Sequence, residues 1–364
     1  MVEPIYVPVL PARRNAWTAY AALDPRVRRR IAPLWTLVPH TGPERVRGVP
    51  AVLETGGDRA ESARRLVPRV DRLVTAMDGA PGWVDAAHVE GQSEGAAVGL
   101  WRLATRSSLR LVTGPERHPA LQRFTADLAF LSGRGLGIRL LVDEPPDEPC
   151  STGLLELLER LRLPPSRADL ILDMGAVTEG DESAKNAIAA LDLLGTLQPW
   201  RTVVLASGAF PRTPDQPATV AAYQVRRLDR QLHRAVRAAR PTFSGTVVYG
   251  DYSVEHAFSA DIPSGDDRYG PPWGLLRYTA PEAFLVARAP LRGPERVDRV
   301  RAMARWITES EAFRGADHSE GERWLHECAE GEGPQGSGNA ETWIRAGHIQ
   351  HLNFTARQLA GAEA

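Results

Sequence analysis

The segments GIRLLVD (137–143), ADLILD (168–173), TVVLAS (202–207) and TVVYGD (246–251) decide the fold of this 364-residue chain. Each is a short apolar run that ends on a polar residue, and successive ends lie 30, 34 and 44 residues apart. The sequence between them is Arg- and Ala-rich and typical of helices. This spacing is typical of a β/α barrel, in which each strand is followed by a crossover helix and chemistry collects at the strand ends.

Four earlier segments supply the remaining strands. They are IYVPVL (5–10), IAPLWTLV (31–38), the segment 83–89 and LRLVTG (109–114). Helical spacing or composition predicts helices over 61–77, 119–131, 153–163, 183–196, 218–239, 296–313 and 341–360. GLLRYT (274–279) and AFLVARA (283–289) are predicted as a hairpin, or as a last barrel strand with its neighbour.

The predicted fold class is therefore α/β, as a TIM-like (β/α)8 barrel, regular or distorted. We expect a single domain over 1–364, with a long lid-like loop or insertion at 253–272 after the seventh strand. A helical C-terminal extension is expected over 296–364.

Composition describes a soluble globular protein, with 43% hydrophobic and 24% charged residues. The net charge of −1 gives no strong nucleic-acid signal, and no apolar run approaches the ~20 residues that span a bilayer. Cys150 and Cys328 form no CxxC motif, and no secretory apolar region is present. We therefore expect a cytoplasmic protein without membrane contact.

Asp173 and Asp251 are the candidate catalytic residues and the candidate metal ligands. Together with Asp143 they end predicted strands, and strand ends of a barrel converge on one mouth. Carboxylates there can share acid/base work or bind a divalent cation, and Mg²⁺ is the cation that an all-oxygen ligand set favours. The alternative is that an Asp after a strand caps a helix or closes a turn.

Five residues are candidates for ligand binding. Ser207 and Gly208 follow a strand and can offer a hydroxyl and an amide to an anion, or can simply form a turn. Arg277 is a charge inside an apolar strand, so it needs a carboxylate or an anionic ligand. Arg13 follows the first strand, where a solvent-exposed position is the alternative. His351 shares a helical face with the other histidine of GHIQHL (347–352), and both can instead pack.

The chain resembles the bacterial and phage beta protein family (beta family protein). The resemblance rests on YVPVL (6–10), IAPL (31–34), LILDMG (170–175), ASGAFP (206–211), YGDYS (249–253), LLRYT (275–279), HSEGERW (318–324) and WIRAGHIQHL (343–352), which run in order along nearly the whole chain. It implies a cytoplasmic barrel-like protein of phage-associated or antiviral defence settings. It carries over to Asp173, Ser207, Asp251, Arg277 and His351 as the residues to test.

Two departures separate the chain from that family pattern. Asn15-Ala16 stands where members have Gly-Glu, and Trp35-Thr36 stands where they have Ile-Glu. One hypothesis is a hydrolase that acts on a phosphate-bearing or nucleotide-like ligand. The other is a non-catalytic recognition protein that binds a partner protein or peptide through the same mouth, and the absent glutamates favour it. The expected partners are thus a small anionic ligand or a protein.

Overall fold

Eight parallel strands close into a barrel in the computed structural model, which describes residues 4–39, 59–212, 219–259 and 273–362. In spatial order the strands are β1 (Tyr6–Pro11), β2 (Leu34–Thr36), β3 (Gly82–Asp85), β4 (Leu109–Thr113), β5 (Leu136–Leu141), β6 (Ala168–Ala176), β7 (Thr202–Gly208) and β9 (Val247–Asp251). Strand β9 pairs with both β7 and β1. The predicted TIM-like barrel is confirmed. Its eighth strand is TVVYGD, so the polar segment 253–272 follows the eighth strand and not the seventh.

Side chains on the barrel strands alternate between the interior and the surrounding helices, as the period of two in a strand requires. An inner apolar cluster contains Val7, Val9, Leu34, Trp83, Val112, Ile171, Val204 and Val248. An outer cluster under the helices contains Leu10, Val84, Leu111, Leu170, Leu172, Leu205 and Tyr249. The position of a residue along its strand therefore decides on which side of the barrel wall it lies.

Helices surround the barrel, and several of them overlap ranges for which the sequence predicts a helix. They are α1 (Arg14–Ala21), α2 (Pro25–Arg28), α3 (Arg59–Met77), α4 (Ser93–Arg106), α5 (Pro119–Ser132), α6 (Glu148–Leu161), α7 (Gly180–Ala190) and α8 (Leu228–Ala239). Helix α5 ends at Gly133 with φ of 68°, a left-handed conformation that glycine adopts at no steric cost.

Three further helices follow, α9 (Arg296–Thr308), α10 (Glu320–Glu330) and α11 (Ala340–Ala362). Helix α11 packs beside α1 and β1, and its residues Leu352, Ala356 and Leu359 join the outer cluster. It therefore occupies the position of the eighth barrel helix, although it lies far along the chain from β9. Among the described helices, none combines the length and the apolar character that a membrane-spanning segment requires.

A three-stranded antiparallel sheet lies outside the barrel. Its strands are β8 (Ala221–Arg226), β10 (Trp273–Thr279) and β11 (Ala283–Pro290), in the order β10-β11-β8. The prediction of one helix over 218–239 was wrong in its first half. Residues 221–226 alternate between half-buried and exposed with a period of two, which suits a strand. GLLRYT and AFLVARA form the predicted hairpin, and neither belongs to the barrel.

The two faces of this sheet have different partners. The outer face of β10 and β11 packs on α9, α10 and α11 through an apolar cluster that includes Tyr278, Leu285, Met303 and Trp324. The inner face shares a second cluster with Phe210 and Val254, which lie in the loops after β7 and β9. The inner face is therefore held over the barrel end at which the strands terminate.

Candidate functional site

The barrel end at which the strands terminate, here called the mouth, is closed by the chain itself. The residues after β9, 252–259, form a covering segment that places Tyr252 and Ala257 in the inner apolar cluster. A Cβ atom at Gly208 would lie 3.0 Å from Ala257 Cβ and 3.1 Å from the Tyr252 ring. Glycine at this predicted ligand-binding position therefore permits the covering segment to approach closely.

Asp173 faces the barrel interior because it shares the strand parity of Ile171. Its Oδ2 accepts hydrogen bonds from Arg139 Nη2 at 2.6 Å, from Arg139 Nε at 3.0 Å and from the Tyr252 hydroxyl at 2.6 Å. The N–H of Gly175 donates to Oδ1 at 3.0 Å. Both oxygens of this candidate catalytic carboxylate are engaged by the protein.

Arg139 also binds a second carboxylate, Asp85, at the end of β3. Its Nη1 lies 2.8 Å from Asp85 Oδ2, and Arg117 Nη2 lies 3.1 Å from Asp85 Oδ1. Burial alone would raise the pKa of Asp85, but the two guanidinium groups outweigh burial and lower it. Asp85, Arg117, Arg139, Asp173 and Tyr252 thus form one ion-paired network across the mouth, here called the mouth network.

Asp251 lies on the other side of the barrel wall, because it shares the parity of Tyr249 on β9. Its Oδ1 accepts a hydrogen bond from the Tyr6 hydroxyl at 2.6 Å. Its Oδ2 lies 2.9 Å from His351 Nε2 and 3.0 Å from the Tyr249 hydroxyl. Asp251 therefore belongs to the layer between the strands and α11.

A buried ion pair at the start of α8 completes this layer. Arg227 Nη2 lies 2.6 Å from Asp229 Oδ2 and 3.4 Å from Asp251 Oδ2, and the Arg227 side chain is fully buried. Arg227 also stacks on Phe284 at 4.9 Å. One guanidinium thus serves two carboxylates in a site closed to solvent. The wall network comprises Tyr6, Arg227, Asp229, Tyr249, Asp251 and His351.

The hydrogen-bond pattern around His351 assigns its tautomer. An ionised carboxylate only accepts hydrogen bonds, so His351 Nε2, 2.9 Å from Asp251 Oδ2, carries a proton and donates a hydrogen bond to Asp251. In the neutral ring Nδ1 then accepts from the Thr279 hydroxyl at 2.8 Å, and Thr279 Oγ1 accepts from Gln350 Nε2 at 3.2 Å. Burial lowers the pKa of His351. Burial alone would raise the pKa of Asp251, but the charge and hydrogen bond of His351, followed by the charge of Arg227, hold it well below its ordinary value.

The second histidine of α11, His348, pairs with a different carboxylate. Its Nε2 lies 3.0 Å from Glu255 Oε1, and its Nδ1 lies 2.9 Å from Ser253 Oγ. Ser253 adopts a left-handed backbone with φ of 54°. Both histidines of GHIQHL are fully buried, and each binds a residue of YGDYS: His351 binds Asp251, and His348 binds Ser253. Sequence reasoning missed Ser253 and Glu255, although the histidine spacing pointed to a shared face.

We predict that Glu255 makes an acid-sensitive contribution to stability. Burial alone would raise its pKa, but the hydrogen bond and charge of His348, with Arg13 and Arg277, lower it from 4.5 to about 2. Because the folded-state pKa is the lower one, the contribution is complete above about pH 4.5 and is lost as pH falls through about 2. A shift of this size corresponds to about 3 kcal/mol.

The measurement is urea denaturation across that pH range. The free energy of unfolding should fall less steeply on acidification for Glu255→Gln than for the wild type. Glu282→Gln, which alters an exposed glutamate, is the matched control and should follow the wild type. Parallel curves for Glu255→Gln and the wild type would contradict the prediction.

Arg277 differs from the arginines of both networks, because it has no ion pair among the described residues. It projects from the inner face of β10, stacks on Phe210 at 5.5 Å and makes one long hydrogen bond, from Nη1 to the Leu275 carbonyl at 3.4 Å. Its Nε is buried without a hydrogen-bond partner. Burial lowers the pKa of Arg277 to about 10, although nearby Glu255 partly offsets this effect.

The surroundings of Arg277 combine positive charge with aromatic rings. On the same sheet face, Arg288 stacks on Tyr223 at 5.6 Å. Arg13 Nη1 lies 3.9 Å from Glu255 Oε2, and its Nη2 donates to the Ser259 carbonyl at 3.0 Å. Two predicted ligand-binding residues thus act on Glu255: Arg13 forms a long ion pair with it, and Arg277 interacts with its charge without forming an ion pair.

The remaining predicted residues lie elsewhere. Ser207 is buried and pairs in register with Asp251 on the neighbouring strand. Asp143 is exposed beyond the end of β5, and its carbonyl accepts a hydrogen bond from Asn186. Neither side chain joins the mouth network.

Asp173 and Asp251 do not converge at the mouth as expected, because their positions along β6 and β9 place them on opposite sides of the barrel wall. Asp173 faces the interior and Asp251 faces the helices, and each belongs to a separate network. Among the side chains that the structure describes, no group of three or more His, Cys, Asp or Glu residues is placed to hold a metal ion. The catalytic and metal-binding roles of the two aspartates stay predictions.

A comparison with protein families agrees with the resemblance drawn from the motifs. The family model described as Beta protein matches residues 6–357, nearly the whole chain. No curated protein matches the chain.

Proposed function

The chain belongs to the Beta protein family, and we propose that it is a non-catalytic recognition protein that binds an anionic group through Arg277. The proposed site lies between the inner face of the three-stranded sheet and the covering segment of the mouth. One observation carries the proposal. Arg277 is a partly buried guanidinium that forms no ion pair among the described residues, whereas Arg139 and Arg227, which hold the two networks, are paired with carboxylates.

The energetic argument rests on the cost of desolvating a charge. A guanidinium removed from water without a counterion destabilises the folded protein, as the lowered pKa of Arg277 indicates. Glu255 partly offsets this cost, but its Oε1 is bound by His348 and its Oε2 faces Arg13. An anion supplied by a ligand would remove the part of this cost that the described residues leave uncompensated.

The lining of the site indicates the chemistry of the ligand. A guanidinium binds a carboxylate or a phosphate through two parallel hydrogen bonds. Phe210 and Tyr223 already stack on Arg277 and Arg288, so aromatic surface lies beside the charge. We therefore propose a phosphate- or carboxylate-bearing group, carried by a small ligand or by a partner protein or peptide.

The hydrolase hypothesis has less support from this geometry. It needs Asp173 and Asp251 to bind Mg²⁺ or to transfer protons, and both are held by arginine in separate networks. For either aspartate to bind a metal ion, its ion pair with Arg139 or Arg227 would first have to break. A role in phage conflict or antiviral defence, and a cytoplasmic location, are proposed from the family resemblance alone.

Native mass spectrometry of the purified protein tests the proposal. We expect the wild type to retain a bound anion or partner, whose mass separates a small ligand from a protein. Arg277→Gln should reduce its occupancy roughly tenfold or more, because a charge-assisted hydrogen bond contributes about 1.5–3 kcal/mol. Arg226→Gln is the matched control, since Arg226 is exposed on the opposite sheet face. Equal occupancy in Arg277→Gln, or a wild type without any bound species, would contradict the proposal.

A further inference from the structure

A second concentration of arginine lies at the opposite end of the barrel, between α2 and α11. A cavity of about 270 Å³ is present there. It is lined by Asp24, Arg26, Val27, Arg30, Ala356 and Arg357. Helix α2 leads into β2, so this end is the one at which the parallel strands begin. The cavity is therefore separate from the mouth and from Arg277.

Positive charge is in excess around the cavity. Arg26 and Arg30 side chains have no ion pair or hydrogen bond among the described residues. Their neighbour Arg28 turns to Asp78, with 3.2 Å between Nη2 and Oδ2. Asp24 accepts a hydrogen bond from the Arg26 N–H at 2.7 Å as the cap of α2. Three arginines and one aspartate leave the lining with a formal charge of +3 − 1 = +2.

Arg357 gives the cavity a fixed wall. Its Nη1 donates to the His318 carbonyl at 3.2 Å, which holds the side chain against the segment before α10. Val27 is buried in the outer cluster and Ala356 packs in the same layer, so the floor of the cavity is apolar. The guanidinium groups of Arg26, Arg30 and Arg357 stand around this apolar floor at the protein surface, where an anion can contact more than one of them.

We propose that this cavity binds the phosphoryl group of a small phosphorylated ligand. A phosphate monoester carries a charge of about −1.5 to −2 at pH 7, which complements the lining. A guanidinium group can bind phosphate through two parallel hydrogen bonds, in bidentate geometry, so arginine suits this ligand better than lysine does. The volume of about 270 Å³ lies just below the usual range for ligand cavities, which begins at about 300 Å³, so it suits a ligand no larger than a small phosphorylated molecule.

Isothermal titration calorimetry with inorganic phosphate and pyrophosphate on the full-length protein tests this site. Arg30→Gln and Arg357→Gln should each weaken binding about tenfold, because each removes one charged hydrogen-bond donor group. Arg29→Gln is the matched control. Arg29 is adjacent to Arg30 and exposed, but it does not line the cavity. Its replacement removes the same charge and should change the affinity for phosphate by less than about twofold.

Three results would overturn the proposal. The first is that the wild type binds neither phosphate nor pyrophosphate, and the second is that Arg29→Gln weakens binding as much as Arg30→Gln does. The third is that a short single-stranded DNA binds more tightly than pyrophosphate and depends on the same arginines. The last result would indicate a polyanion surface. Arg277→Gln should leave phosphate binding here unchanged, so the outcome is independent of the proposed function at the other end of the barrel.

Discussion

Replacing Arg227 by Met is expected to lower the free energy of unfolding by about 3–5 kcal/mol. The substitution leaves Asp229 and Asp251 buried without their shared guanidinium, and both carboxylates are excluded from solvent. The hydrogen bonds from Tyr249 and Tyr6 stay, but these phenols carry no positive charge. Urea denaturation of the purified variant measures the loss directly.

Arg234→Met provides the matched control on the same helix. Arg234 pairs with Glu282 at 2.6 Å, but both side chains are about half exposed, so its removal should cost less than about 1 kcal/mol. The double variant Arg227→Met with Asp229→Leu should recover part of the loss, because it removes one of the two stranded carboxylates. An Arg227→Met protein as stable as the control would show that the wall network does not hold α8 and α11 to the barrel.

Replacing Arg139 by Met is expected to lower the free energy of unfolding by a similar amount, about 3–5 kcal/mol. Arg139 is the only arginine that joins Asp85 to Asp173 in the mouth network as described. Asp85 would keep Arg117, whereas Asp173 would keep only Tyr252 and the Gly175 N–H. The covering segment should therefore loosen together with the loss of global stability.

Two measurements on the Arg139→Met variant test this prediction. Urea denaturation gives the global loss, and hydrogen exchange of residues 252–259 reports the covering segment. Arg102→Met, which breaks a surface pair with Asp71, is the control and should change neither by much. Unchanged exchange in the covering segment of Arg139→Met would mean that the inner apolar cluster alone closes the mouth.

The barrel could be predicted from the sequence because its strands carry a local signal. ADLILD and TVVLAS are short, almost wholly apolar and bounded by helix-like sequence, so their type and order follow from composition and spacing. Residues 221–226 gave no such signal, because AAYQVR is short and leads directly into helix α8. Their strand conformation depends on pairing with β11, more than 55 residues later in the chain.

The site was harder to predict because its partners are distant in sequence. The polar end of β9 was identified, but only the register with β1 shows that Asp251 faces outward to His351, 100 residues away. For Arg277 the sequence required a counterion and could not show that no described carboxylate forms an ion pair with it. Glu255 and Arg227 carry no motif, so their roles emerge only from the fold.

The free energy of unfolding of Arg277→Met, measured beside Arg227→Met, tests the central claim most directly. If Arg277 is kept for a ligand, Arg277→Met should be as stable as the ligand-free wild type or more stable, because it removes a partly buried charge that no described carboxylate pairs. It should also lose the bound anion. A loss of about 3 kcal/mol or more, as expected for Arg227→Met, would contradict the account and make Arg277 a structural residue.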